Sequence, residues 1–158
     1  MSSEKFETLA VHAGVVPDPT TGAIMTPIYA TSTYVQKSPG VHQGYEYSRT
    51  GNPTRKALET SIAALEGAKY GLATSSGCAA TDIILHLLDA GDHVVSVDDV
   101  YGGTSRLLRT MWSRHGVQTT FADLTTVDVK TVVTPNTKLI WIETPTNPML
   151  KVIDIEKV

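Results

Sequence analysis

The sequence predicts an α/β fold: a mostly parallel sheet with helices on both faces. One observation is the alternation that begins near residue 70. Short apolar or β-branched runs are separated by segments long enough for a helix, the spacing of βαβ units rather than hairpins. A second is the stretch Ala73, Thr74, Ser75, Ser76, Gly77, Cys78, Ala79, Ala80, Thr81. It places small hydroxyl residues and a glycine between a short apolar run and a helical pattern, which reads as strand, tight turn and helix start.

Bulk properties narrow the class. The chain has 158 residues, 41% of them hydrophobic, enough for one domain with a core. Its net charge of −3 has both signs scattered, so no basic face points to nucleic acid. No apolar run approaches the ~20 residues that span a bilayer, and residues 1–7 carry acids and no signal-peptide core. The single cysteine, Cys78, excludes an intrachain disulfide framework and fits a reducing compartment, so a cytoplasmic location is expected. The final residues, Asp154 to Val158, read as the opening of another helix, and the chain is expected to stop inside a larger fold.

Residues 1–52 are rich in turn residues and poor in helical periodicity, an extended arm expected to lack elements of its own. Its aromatic and β-branched residues argue against disorder, so it is expected to pack on a neighbouring subunit. Asn52 and Pro53 then form an N-cap and first helical position, Leu58, Ile62 and Leu65 an apolar stripe, and Gly67 the stop. Strands are predicted at Gly71–Thr74, His93–Val97, Gln118–Ala122 and Lys138–Glu143. Helices are predicted at Cys78–Leu88 and Ser105–His115, with a weaker one around Val127–Val133.

In a parallel sheet the ligand lies beyond the carboxyl ends of the strands. The loops there are Ser75 to Cys78, Asp98 to Thr104, Asp123, and Glu143 to Pro148. The first offers unpaired N–H groups and the positive end of a helix dipole to an anion, with Ser75, Ser76 and Thr81 as further hydroxyl donors. Alone, the same residues also make an ordinary N-cap, and they match neither a P-loop nor a GxGxxG turn. Together with Tyr101 beside Gly102 and Gly103, and Asn147 between prolines, the rim suits a flat, phosphorylated ligand.

Separated blocks carry a resemblance: Tyr47, Ser48, Arg49, Gly51, Asn52, Pro53, Thr54; Ser76, Gly77, Ala79, Ala80, Thr81; Asp99, Val100, Tyr101, Gly102, Gly103, Thr104; and Glu143, Thr144, Pro145, Thr146, Asn147, Pro148. In this order they resemble the cystathionine γ-lyase / cystathionine γ-synthase family, pyridoxal-phosphate (PLP) enzymes of trans-sulfuration. The resemblance runs from about His12 to the last residue. It implies the large-domain fold of the aspartate aminotransferase type, truncated here, with residues 53–158 as the N-terminal part of the cofactor-binding domain.

The resemblance also implies roles. Gly77 and Cys78 give backbone amides to the cofactor phosphate. Tyr101 stacks over the pyridine ring, contacts substrate and moves protons, and Asn147 lies near the ring hydroxyl. Tyr47 and Arg49 reach across a dimer interface to the neighbour's phosphate, and Arg49 and Arg106 contact substrate. The expected partners are an amino-acid substrate such as cystathionine and further copies of the chain, as dimers that share active sites and assemble into a tetramer. Most relatives carry an apolar residue where this chain has Cys78. The Schiff-base lysine is expected beyond residue 158, since none of Lys56, Lys69, Lys130, Lys138 and Lys151 stands in a matching context. A γ-lyase is the first reading; γ-synthase, β-lyase and O-acetylhomoserine sulfhydrylase remain open, as does a non-catalytic chain that binds phosphate or pairs with longer subunits.

Overall fold

The computed structural model describes residues 5–158. Helix α1 (Phe6–His12) lies inside the arm, which therefore does contain an element of its own. The stretch has no Gly or Pro, and Thr8 and Leu9 N–H donate to Lys5 O to close its first turn. The strand-like residues that follow form only an isolated antiparallel bridge, Thr33 to Tyr47.

Helix α2 (Pro53–Leu65) begins as its cap predicts: the Asn52 side chain accepts from Thr54 N–H, with Pro53 in the first turn. Gly67 then turns out of the helix at φ 61°. The helix start is stitched to the arm, because Asn52 Nδ2 donates to Tyr29 O and Thr54 Oγ1 to Pro27 O. The predicted stripe is only partly covered. Ala63 is the buried residue of α2, while Leu58 and Ile62 are exposed.

Residues 71–74 are not a strand. The run has no ladder partner among the described residues, and Leu72 is exposed rather than buried. Gly71 instead lies against α2, where a Cβ would collide with the Glu59 carbonyl oxygen, and Ala73 N–H donates to Glu59 Oε1 at 3.1 Å. The chain divides into two compact units, Met1–Ala73 and Thr74–Val158.

The second unit holds α3 (Gly77–Leu85), β1 (His93–Val97), α4 (Gly102–Arg106), β2 (Gln118–Ala122) and β3 (Thr137–Trp141). The strands run parallel in the order β2-β1-β3. All residues of β1 are buried, as a central strand covered on both faces requires. His93 is satisfied inside, its Nδ1 2.7 Å from Thr137 Oγ1 and its Nε2 2.9 Å from Thr120 Oγ1.

On one face, Val94 packs with Leu85 of α3, Leu108, Trp112 and Val117. On the other, Val95 and Val97 pack with Val100, Ala122, Leu124, Val129 and Ile153. After α4 the helix loosens into a π turn at Leu107–Met111 and tightens into a 3-10 turn at Trp112–His115, ended by Gly116 at φ 86°. The hydroxyls of Thr110 and Ser113 donate to the carbonyls of Arg106 and Arg109, four residues back. The predicted helix at 127–133 is reduced to one 3-10 turn, Val129–Thr131. Asp128 caps it from one side, and on the other Thr134 precedes Pro135 and is driven out of the helical region.

Candidate active site

The amides at the start of α3 are free to bind. Ser76 Oγ accepts from Ala79 N–H at 3.1 Å and Ser76 O from Ala80 N–H, which leaves the N–H groups of Gly77 and Cys78 without partners among the described residues. A Cβ built on Gly77 would meet no protein atom within 4 Å, so the space beside these amides is open. Thr81 is not an available donor, because it is buried and its hydroxyl donates to Gly77 O within the helix.

Tyr101 faces the same opening. A cleft of about 440 Å³ is lined by Ser76, Gly77, Cys78, Thr81, Tyr101, Thr104, Trp141 and Glu143. The approach is close: a Cβ on Gly103 would lie 2.6 Å from both Cys78 Sγ and Tyr101 Cε1. Gly103 thus lets the thiol and the ring edge share one corner. Tyr101 remains 50% exposed beside the opening, which leaves room for a flat ring to stack on it.

Glu143, two residues past the end of β3 although the sequence predicted the strand to reach it, joins the cleft without having stood out in the sequence as a site residue. Its Oε2 accepts from Tyr101 N–H at 2.8 Å, and its Oε1 lies 3.4 Å from both Thr104 Oγ1 and Trp141 Nε1. Asp99 is a second such residue. Its Oδ2 accepts from Thr146 Oγ1 at 2.5 Å and Met149 N–H at 2.8 Å, which ties the 144–151 loop to the end of β1.

Asn147 sits on that loop, its N–H donating to Asp99 O at 3.2 Å, but it is exposed and not part of the cleft lining. Arg106 is exposed at the end of α4 and likewise outside it. Tyr47 and Arg49 belong to the first unit, where the Arg49 guanidinium lies 4.9 Å from the Tyr47 ring centroid. Lys151 is committed elsewhere, its Nζ 2.8 Å from Asp123 Oδ2 and 3.1 Å from Asp98 Oδ2.

A family model described as "Cys/Met metabolism PLP-dependent enzyme" matches residues 7–158. The chain belongs to this family of PLP-dependent enzymes. It is 54% identical over 155 residues to a cystathionine beta-lyase of Coxiella burnetii, covering 97% of this chain and 40% of that protein. It is 52% identical over 155 residues to the human cystathionine gamma-lyase, covering 97% and 38% respectively. A crystal structure of metB from Corynebacterium glutamicum superposes with a TM-score of 0.92 at 53% identity, covering 99% of this chain and 41% of that one. A cystathionine gamma-lyase from Lactobacillus plantarum complexed with L-serine gives 0.87 at 48%, covering 96% and 40%. The chain therefore spans about two fifths of the length of these relatives.

The family's cofactor is PLP, and the cleft fits it on its own chemistry. Unpaired amides at a helix start receive a phosphate, and an aromatic face beside them receives a flat ring.

Proposed function

We propose that the intact protein is a cystathionine γ-lyase, converting cystathionine and water to cysteine, 2-oxobutanoate and ammonia. The observation that carries this is the convergence of Tyr101 with the unpaired amides of Gly77 and Cys78 in one cleft, in a chain of this family. PLP supplies the electron sink that makes loss of a proton from the substrate Cα accessible. Gly77 and Cys78 hold the phosphate through N–H groups, which anchor without donating a proton. Tyr101 stacks on the ring and moves a proton at its phenolic oxygen. Asn147 orients a ring substituent through its side-chain amide. Tyr47 and Arg49 contact the phosphate of a neighbouring copy, the planar guanidinium matching phosphate oxygens in pairs. Arg49, Tyr101 and Arg106 position the substrate.

The arm of residues 1–52 then packs on that neighbour, in a dimer with shared sites assembled into a cytoplasmic tetramer. The Schiff-base lysine comes from sequence beyond Val158. A β-lyase is the second reading, favoured by the 54% identity to the Coxiella burnetii protein of that name. Incubating the intact, PLP-loaded protein with cystathionine and separating the products decides between them. Cysteine with 2-oxobutanoate supports the γ-lyase; homocysteine with pyruvate establishes the β-lyase instead. No cleavage of cystathionine removes both.

A further inference from the structure

Tyr101 occupies the N-cap position of α4, yet its own side chain caps nothing, and its half-exposed ring has no hydrogen-bond partner among the described residues. Its backbone N–H is bonded to a carboxylate 42 residues further on, Glu143 Oε2 at 2.8 Å. The other oxygen of that carboxylate is met by Thr104, on the first turn of α4, and by Trp141 of β3, each at 3.4 Å. Thr104 is 3% exposed, so this side of α4 is fixed in the core. Glu143 has no ion-pair partner among the described residues. Its charge is compensated by these donors and by the positive end of α4, which it meets as a capping side chain would.

We infer that Glu143 is a positioning residue for Tyr101: by anchoring the tyrosine's backbone just past the end of β3, it sets where the phenol stands over the α3 amides. A positively charged or apolar residue at 143 leaves the Tyr101 amide unanchored while the sheet survives. The catalytic consequence rests on the proposed function; the anchoring itself does not.

Two measurements on the intact protein test the inference. The first is amide hydrogen exchange of the apoprotein, where Glu143 is the sole acceptor of the Tyr101 N–H among the described residues. Glu143→Ala is expected to speed exchange at Tyr101 about tenfold, with Glu143→Gln intermediate, as the loss of one charge-assisted bond implies. The amides of Val94 and Val95 serve as folding controls and are expected to stay as protected as in the wild type. The second is a double-mutant cycle on kcat with Tyr101→Phe. Glu143→Ala alone is expected to lower kcat about tenfold with little change in KM, and to cost nothing further in the Tyr101→Phe background. Unchanged exchange at Tyr101 overturns the anchoring, and additive losses in the cycle overturn its link to Tyr101. If wild-type protein binds PLP but cleaves no cystathionine, the proposed function falls while the exchange result still decides the role of Glu143.

Discussion

Lys151 Nζ sits 2.8 Å from Asp123 Oδ2 and 3.1 Å from Asp98 Oδ2, so a single ammonium ties together the segments that follow all three strands. The hydrogen bond from Lys151, helped by the hydroxyl and N–H of Thr125, lowers the Asp123 carboxyl from 3.8 to about 2. Bonds to Asp123 and then Asp98 raise Lys151 above its usual 10.5. The Asp123 contribution is complete above pH 3.8 and is lost as pH falls toward 2; the Lys151 contribution is complete below 10.5 and is lost as pH rises through its elevated value. Lys151→Met leaves two carboxylates facing each other without their cation. In the intact protein its acid-unfolding midpoint, followed by circular dichroism, is expected to move to higher pH; an unmoved midpoint assigns the pair no part in acid stability.

The parallel sheet was legible because β1 and β2 are compact runs bounded by Gly and Asp, and their ends match the expected residues. Gly71–Thr74 misled because apolar composition is local while a ladder partner is not. The valines at 127, 129, 132 and 133 have helix-like spacing, but Asp128 and Pro135 leave room for just one turn. The meeting of Tyr101 with Gly77 and Cys78 followed from the rule that ligands gather at strand ends. Glu143 was not legible, since its contact to Tyr101 depends on how far β3 runs relative to α4.

Gly103 and Gly102 make a matched pair. A Cβ at 103 meets Cys78 Sγ and Tyr101 Cε1 at 2.6 Å, whereas one at 102 meets nothing within 4 Å. Gly103→Ala is expected to displace the tyrosine ring and cost about 1–3 kcal/mol, as overpacking does. Gly102→Ala is expected to be neutral or to stabilise by up to about 1 kcal/mol through helix propensity. Urea unfolding of both variants, with visible circular dichroism of the PLP-loaded protein, separates the cases. Equal behaviour of the two removes the argument that Gly103 exists to let the ring approach.

Asp82 of α3 holds a core residue of the same unit. The indole Nε1 of Trp112, a residue 7% exposed, donates to Asp82 Oδ1 at 2.8 Å, while the His86 ring stands edge-on at 4.9 Å. Asp82→Ala strands the indole N–H and is expected to cost about 1–3 kcal/mol. Asp82→Asn, which keeps an acceptor, is expected to cost less. Denaturant midpoints of the two variants check the order; equal costs mean that the aspartate charge, lost in both, is what matters rather than the bond.

Arg49 and Tyr101 give the last comparison, since the proposed function puts one on holding the cofactor and the other on proton transfer. On that proposal Arg49→Ala would remove charge-assisted hydrogen bonds to a phosphate, and it is expected to weaken PLP retention by about tenfold or more. Tyr101→Phe keeps the ring and loses the phenolic oxygen, so PLP affinity is expected to stay near the wild-type value while kcat falls by about a hundredfold, the scale of one general acid–base group. Equilibrium dialysis against PLP and steady-state kinetics on the intact protein read the two effects separately. Full turnover by Tyr101→Phe removes the proton-transfer role, and unchanged PLP retention by Arg49→Ala rules out the contact to the neighbour's phosphate.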